Sequence, residues 1–231
     1  MSGAFAGVSG VGRGSPLVTA HAGSLDTPPN TRASFDAALA HPVDLIEADV
    51  RFTAQRGAYL SHDPLPAHQQ ERCMTLAELL GLASSHPRVR LNLDMKEFSG
   101  LGEMAALLRQ AGMTGRVLLT GVSHRAVPLV RGAAPDLPYL LNALPGPLQR
   151  FTATGAARLC RLITECGARG LNVHHRALTR CLSRALAAAG LVISVWTVDR
   201  PREARRMVRL GVDMITTHRV DLVLALRQEA A

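Results

Sequence analysis

From residue 17 onward an apolar run followed by an amphipathic stretch recurs to the end of the chain, and this alternation restricts the fold more than any other feature of the 231 residues. The strand-like runs are LVTAH (17–21), LIEADVRF (45–52), AYLSHD (58–63), RLNLDM (90–95), RVLLTG (116–121), PYLLNAL (138–144), GLNVHH (170–175), LVISVWTV (191–198) and MITTH (214–218). Between most of them lie stretches with helical periodicity, such as TLAELLGLASS and LTRCLSRALAAAG, and several close on glycine, a common helix stop. A βα alternation with no linker and no shift in composition predicts a parallel sheet covered by helices. About eight βα units in a chain of this length predict a single-domain (β/α)8 TIM barrel rather than an open doubly wound sheet. AYLSHD is the extra strand, expected as a hairpin partner of the run before it.

Residues 1–16, MSGAFAGVSGVGRGSP, read as a flexible leader ahead of one barrel domain over 17–231. Their glycines do not make a nucleotide loop. Arg13 stands where a P-loop needs lysine, Ser15 stands where G-x-G-x-x-G needs its last glycine, and the segment precedes the first strand.

At 47% hydrophobic and 19% charged the chain can bury a sizeable core. The net charge of +8 comes from arginines scattered along the whole length. There is no dense basic run, and only 3% of residues are aromatic, which argues against a nucleic-acid groove lined with stacking rings. A diffuse positive field suits an anionic substrate or peripheral contact with an anionic membrane surface. Cys73, Cys160, Cys166 and Cys181 lack C-x-x-C spacing and read as mostly buried thiols in a reducing compartment, so a cytoplasmic location is expected. The N-terminus has no basic region followed by a continuous apolar one, and no apolar run is long enough to span a bilayer.

The polar residues within this pattern gather at strand ends. His21 ends the first run; Glu47 and Asp49 lie at i and i+2 within the second; His62 ends the hairpin strand; Asp94 and Lys96 end the next, again two apart. Side chains two apart on a strand share a face, so each pair can point into the barrel mouth, where chemistry sits in such barrels. Lys96 is the only lysine in the chain; every other cationic side chain is arginine. A compact ammonium rather than a planar guanidinium fork at this position suggests a specific electrostatic task. Each residue alone has a plainer role: a turn for His62, a core histidine for His21, surface for Lys96. His68, His86 and His124 read as surface residues, and His174 and His175, at the end of another strand, as structural.

Three carboxylates converging in one mouth cannot all stay ionised unless a cation joins them. Oxygen ligands with room for water suit Mg²⁺ or Ca²⁺ better than Zn²⁺. Two histidines titrating near working pH suit proton transfer, and a lysine beside a metal adds a positive point for a phosphoryl oxygen. Together these describe phosphodiester cleavage.

The segments VTAHAG, PPNTRASFDAAL, DLIEADVRFT, GAYLSHD, LNLDMK, SVWTVD and GVDMITTH together resemble the glycerophosphodiester phosphodiesterase family, which shares its barrel superfamily with phosphatidylinositol-specific phospholipase C and sphingomyelinase D. The resemblance implies metal ligation by Glu47, Asp49 and Asp94, general acid–base roles for His21 and His62, a phosphate contact for Lys96, and a place for Trp196 in the substrate wall. It also implies hydrolysis of glycerophosphodiesters to glycerol 3-phosphate and an alcohol, or of related lysophospholipids. Two other readings stay open: a lipid-headgroup phosphodiesterase or lyase forming a cyclic phosphate, and a degenerate barrel that binds a phosphorylated ligand without turnover.

The motif departs from the family's in four places. HAG replaces the usual H-R-G, so Ala22 stands where an arginine helps hold phosphate. PPNT replaces P-E-N-T, so Pro29 stands in place of an acid, and the two losses could be those of one ion pair. Asp94 replaces the usual glutamate, as in sphingomyelinase D-like relatives. The segment from Pro64 to Arg90 is short where typical relatives carry an insertion that caps the glycerol group, so a more open pocket is expected.

Overall fold

The structure, a computed structural model, describes residues 15–55 and 57–229; the expected leader, apart from Ser15 and Pro16, lies outside them. In chain order the elements are β1 (Leu17–Ala20), α1 (Arg32–Leu39), β2 (Leu45–Phe52), β3 (Ala58–Leu60), α2 (Ala67–Gln70), α3 (Leu76–Ser84), β4 (Arg90–Met95), α4 (Leu101–Gln110), β5 (Val117–Val122), α5 (Val127–Ala133) and β6 (Tyr139–Asn142). They continue with α6 (Pro147–Phe151), α7 (Ala153–Glu165), β7 (Gly170–His174), α8 (Arg180–Ala188), β8 (Val192–Trp196), α9 (Pro201–Arg209), β9 (Met214–Thr217) and α10 (Val220–Glu229).

Among the described residues the strands form one sheet in the order β1-β9-β8-β7-β6-β5-β4-β2-β3. Parallel pairing of β1 with β2 closes eight of them into a barrel, with Thr19 opposite Leu45. β3 hangs on β2 as an antiparallel hairpin, with Val50 opposite Leu60, as AYLSHD predicts. The helices begin where the sequence supplies caps. Thr31, Thr75, Thr152 and Thr179 each accept a backbone N–H of the first helical turn, and Glu78 completes a capping box with Thr75. The short helices α2 and α6 were not legible as elements, because one turn is too brief to show a period.

The barrel interior is layered by the two-residue period of its strands. Leu17, Leu45, Leu118, Leu140, Val192 and Met214 pack into a separate apolar floor. Two residues further along each strand, on the same face, stand Thr19, Glu47, Thr120, Asn142, Ser194 and Thr216. All of these but Asn142 are buried. Bulky aliphatic side chains usually fill every interior layer of such a barrel. Here only the floor is aliphatic and the upper interior is polar, an arrangement that costs stability unless the groups bind each other or a ligand.

The main core lies outside the sheet. There the alternate residues of β2 and β4, such as Ile46, Ala48, Leu91 and Leu93, meet Phe35, Leu79, Met104 and Leu108 from the helices. Asp44 fastens the closing seam by accepting the Val18 N–H at 2.8 Å and an Arg227 guanidinium N–H at 2.5 Å, which ties α10 to the β1–β2 junction. Cys160 and Cys166 are buried, Cys73 and Cys181 half-buried, and all four are free thiols, as their spacing predicts. Among the described residues no helix is long and apolar enough to cross a membrane.

Candidate active site

Strand register brings the acidic residues together. β2 and β4 run parallel with Glu47 opposite Asn92 and Asp49 opposite Asp94. Because 47 and 49 share a face, as do 92 and 94, four polar side chains meet above the apolar floor. Glu47, Asp49 and Asp94 each offer an oxygen, and the three oxygens lie within 4.8 Å of one another. Glu47 and Asp49 are buried and Asp94 half-buried.

Neighbours fix each carboxylate. Glu47 Oε2 accepts the Ala22 N–H at 2.8 Å. Asn30 grips Asp49 at two points: its Nδ2 donates to Asp49 Oδ2 at 2.8 Å, and its Oδ1 accepts the Asp49 N–H at 3.0 Å. Asn30 sits at φ 59°, a left-handed conformation that asparagine tolerates better than most side chains. The Thr120 hydroxyl lies 2.7 Å from Asp94 Oδ1 and 2.9 Å from Asn92 Oδ1.

Lys96 Nζ bridges two of the three, at 2.5 Å from Asp94 Oδ2 and 2.9 Å from Asp49 Oδ1. Burial disfavours its charge, but the charge and hydrogen bond of Asp94, followed by those of Asp49, outweigh this and raise its pKa well above the ordinary lysine range. An ammonium carries three donors, so two carboxylate contacts leave one for another partner.

The cluster fits a divalent cation. Three carboxylates against one touching ammonium leave about two negative charges unbalanced in a confined space, and a doubly charged cation with oxygen ligands would balance them. The strain is visible at Glu47. Burial first, then the charges of Asp49 and Asp94, push its pKa well above the ordinary carboxylate range, against the pull of the Ala22 N–H and Lys96.

This shift has a testable sign. A carboxyl whose folded-state pKa is raised contributes most at low pH, and that contribution is lost as pH rises through the folded pKa. The metal-free protein is therefore expected to lose thermal stability as pH climbs above Glu47's ordinary value of 4.5. A cation must displace the proton, so the rise in Tm on adding Mg²⁺ or Ca²⁺ should grow between about pH 5 and about pH 8. Differential scanning fluorimetry across that range checks this; a cation effect that shrinks with pH would contradict it.

The two histidines flank the cluster differently. His21 Nδ1 lies 3.0 Å from the Ala22 carbonyl and 3.5 Å from Glu47 Oε2. A carbonyl only accepts, so the ring hydrogen belongs on Nδ1 and Nε2 keeps its lone pair. The His21 ring packs on His218, with centroids 4.4 Å apart, and His218 Nδ1 meets Asp199 Oδ2 at 2.9 Å. His62 stands on the rim, with 64% of its side chain exposed and Nδ1 2.9 Å from Asp63 Oδ1. Its carbonyl accepts two N–H groups from Arg51, which also approaches Glu97, and this anchors the turn after β3.

A cleft of about 400 Å³ joins His21, His62, the three carboxylates, Lys96 and Trp196. The structure thus brings all seven sequence-derived candidates to one cavity. Trp196, at the end of β8, is 37% exposed, and His174 meets its ring edge-on at 5.3 Å. A second cavity of about 650 Å³ lies on the other side of His62, bordered by Pro29, Asn30, Arg32 and Leu65. The Pro64–Arg90 segment itself forms one wall of this space, through Leu65, Arg72, Met74 and Glu78. Ala22 is 3% exposed and does not border the cleft. Its role is the backbone N–H on Glu47, so an arginine side chain at this position would first have to displace packed neighbours.

Several cleft residues escaped the sequence reading. Asn142 and Asn172 line the far wall, with Asn172 Nδ2 3.2 Å from Asn142 Oδ1. Asn142 Oδ1 also accepts the Gly121 N–H at 2.9 Å. Gly121 lies at φ 73° in a register shift of β5, packed so closely on the Met95 backbone that a Cβ would collide with it. The available signal was a lone amide inside each apolar run, at strand-face spacing from the floor residue. His218 ends the strand-like run MITTH and Asp199 follows LVISVWTV, and neither carried a local sign of its place behind His21.

The family model described as "Glycerophosphoryl diester phosphodiesterase family" matches residues 94–222, more than half of the chain. Among curated relatives, the chain is 26% identical to the "Putative glycerophosphodiester phosphodiesterase YhdW" of Bacillus subtilis (strain 168), over 90% of this chain and 96% of that protein. Among solved structures, a glycerophosphodiester phosphodiesterase from Parabacteroides distasonis ATCC 8503 superposes with a TM-score of 0.77 at 18% identity, covering 94% of this chain and 99% of that one. The Oleispira antarctica phosphodiesterase OLEI02445, solved in complex with the product sn-glycerol-3-phosphate, superposes with a TM-score of 0.74 at 19% identity, covering 93% and 97%. Barrel, register and family match agree: the chain belongs to the glycerophosphoryl diester phosphodiesterase family, whose members are phosphoric diester hydrolases.

Proposed function

We propose that this protein hydrolyses glycerophosphodiesters with one divalent cation, Mg²⁺ or Ca²⁺, held by Glu47, Asp49 and Asp94. The observation that carries the reading is the in-register triad of carboxylates, in a cleft shared with two histidines, where burial and the neighbouring charges raise the pKa of Glu47. When bound, such a cation polarises a phosphoryl oxygen and offsets the charge that develops on it.

The protein's own groups divide the remaining work. Lys96, held between Asp49 and Asp94, directs its remaining N–H toward a phosphoryl oxygen. His21, with its Nδ1 hydrogen held by the Ala22 carbonyl, takes a proton from the attacking water at Nε2. His62, between the cleft and the outer cavity, hands a proton to the departing alkoxide, and the alcohol leaves into the open space beside it. Asn172 borders the cleft, and its Oδ1 lacks a partner among the described residues, so it is suited to accept a hydroxyl of the glycerol moiety. The sn-glycerol-3-phosphate held by the Oleispira protein is the product expected here.

Turnover of glycerophosphocholine, glycerophosphoethanolamine, lysophosphatidylcholine and bis-p-nitrophenyl phosphate, each with EDTA, Mg²⁺ or Ca²⁺, tests the reading. Release of glycerol 3-phosphate that EDTA abolishes is the expected result. A cyclic phosphate product would favour the lyase chemistry, and no turnover under any condition would favour a binding barrel.

A further inference from the structure

Among the described residues, large apolar side chains are exposed at five positions, and four of them follow β6 or end β8, beside the barrel mouth. Leu144, in the segment after β6, is 82% exposed; Leu148 and Phe151, three apart on one face of α6, are 71% and 62% exposed; Trp196 completes the set. Scattered single leucines on a surface need no explanation, but a group on the functional rim does.

The rim is built on a fixed element. The Arg150 guanidinium lies over the Phe151 ring at 5.1 Å and donates to the Arg176 carbonyl at 3.0 Å, while the Thr179 hydroxyl bonds the Arg150 carbonyl. These contacts lock α6 onto the turn after β7. Exposed charge in this sector is mostly positive. On the mouth side of this sector stand Arg150, Arg176 and Arg180, whereas Arg161, Glu165 and Arg169, on the far half of α7 and the turn before β7, lie toward the opposite rim. The arginines nearest the mouth, Arg176 and Arg180, are exposed.

We propose that this side of the mouth docks on an anionic membrane surface, with Leu144, Leu148 and Phe151 entering the interface and the surrounding arginines facing lipid phosphates. Apolar tips flanked by exposed guanidinium groups, with the nearby carboxylates of Asp199 and Glu203 each facing a histidine, match the headgroup boundary, where apolar burial and electrostatic attraction add. A second copy of the chain would set like charge against like charge. The inference is independent of which phosphodiester is cleaved, because it concerns the rim and not the cleft floor.

The test is co-sedimentation with vesicles of phosphatidylcholine containing about one-third phosphatidylglycerol, against phosphatidylcholine alone, at low and high salt. The wild type should bind the anionic vesicles preferentially, and binding should weaken as salt rises. The triple variant Leu144→Ser, Leu148→Ser, Phe151→Ser should bind at least about tenfold more weakly. It should turn over soluble bis-p-nitrophenyl phosphate as the wild type does. Arg176→Glu with Arg180→Glu leaves the apolar tips in place and should also release the protein, which keeps the test open if the triple variant folds poorly. Equal binding to neutral vesicles, or unchanged binding by both variants, overturns the proposal. So does a wild-type dimer in sedimentation velocity that the variants disperse, since that makes the patch an interface between copies.

Discussion

Glu47→Gln combined with Asp49→Asn is expected to lower kcat on the preferred phosphodiester by about a thousandfold or more while raising the Tm of the metal-free protein. The first effect follows from losing two of three cation ligands: several kcal/mol of charge stabilisation, about 4, corresponds to about three orders of magnitude in rate. The second follows from the burial and the neighbouring charges that together raise the pKa of Glu47, because replacing two buried carboxylates by neutral amides relieves both. Glutamine and asparagine are nearly isosteric and can still accept the Ala22 N–H and the Asn30 amide, while Lys96 loses its contact at position 49 and keeps Asp94. Opposite signs on activity and stability distinguish a functional cluster from a structural one, which would lose both. Steady-state kinetics with scanning fluorimetry, with and without Mg²⁺, makes the measurement. Unchanged turnover, or an unchanged Tm response to the cation, would remove these residues from the site.

The barrel was legible because its strands carry two signals in one pattern. An outward face of aliphatic residues and an inward face anchored by Leu17, Leu45, Leu118, Leu140, Val192 and Met214 make each run apolar enough to detect. The acidic residues stood out against that background because a carboxylate inside such a run is costly without a partner. Asp49 and Asp94 were expected at strand ends; their register opposite each other is a tertiary fact, fixed by how β2 and β4 pair. The amides were harder. Asn142 and Asn172 carry no charge to mark them, and only the layering of the closed barrel shows that they face the same space as Glu47. The His218–Asp199 support of His21 was illegible for a related reason. It joins the first strand of the barrel to the last, and nothing local in VTAHAG points to MITTH.

The departures from the family motif also change meaning in three dimensions. Ala22 reads from the sequence as a lost phosphate contact, yet its side chain is buried and its backbone serves Glu47. Pro29 borders the outer cavity beside His62 and does not line the cleft that holds the carboxylates. Lys96 appears from the sequence as a free phosphate contact, whereas its ammonium already bridges two carboxylates. On the proposed function, one side chain would both balance the carboxylates and meet the phosphate. An arginine fork is wider and planar and does not match a compact ammonium held between two carboxylate oxygens.

His21→Ala and His62→Ala should each reduce kcat on a glycerophosphodiester by about a hundredfold to about ten-thousandfold, the usual contribution of a positioned acid or base. Their responses to the leaving group should differ. A nitrophenolate leaves without a proton, so bis-p-nitrophenyl phosphate should restore much of the lost rate to His62→Ala and little to His21→Ala. The asymmetry rests on position. His62 stands between the cleft and the outer cavity, whereas His21 lies inside, backed by the His218 ring and fixed through Nδ1 by the Ala22 carbonyl, which leaves Nε2 to accept a proton. Neither substitution removes a carboxylate of the cluster, and Glu47 keeps the Ala22 N–H when His21 is lost, so the Tm gain on adding Mg²⁺ should persist in both variants. Losses below about tenfold in both would move the histidines to structural roles. Rescue of His21→Ala instead of His62→Ala would exchange acid and base and reverse the direction in which the alcohol departs.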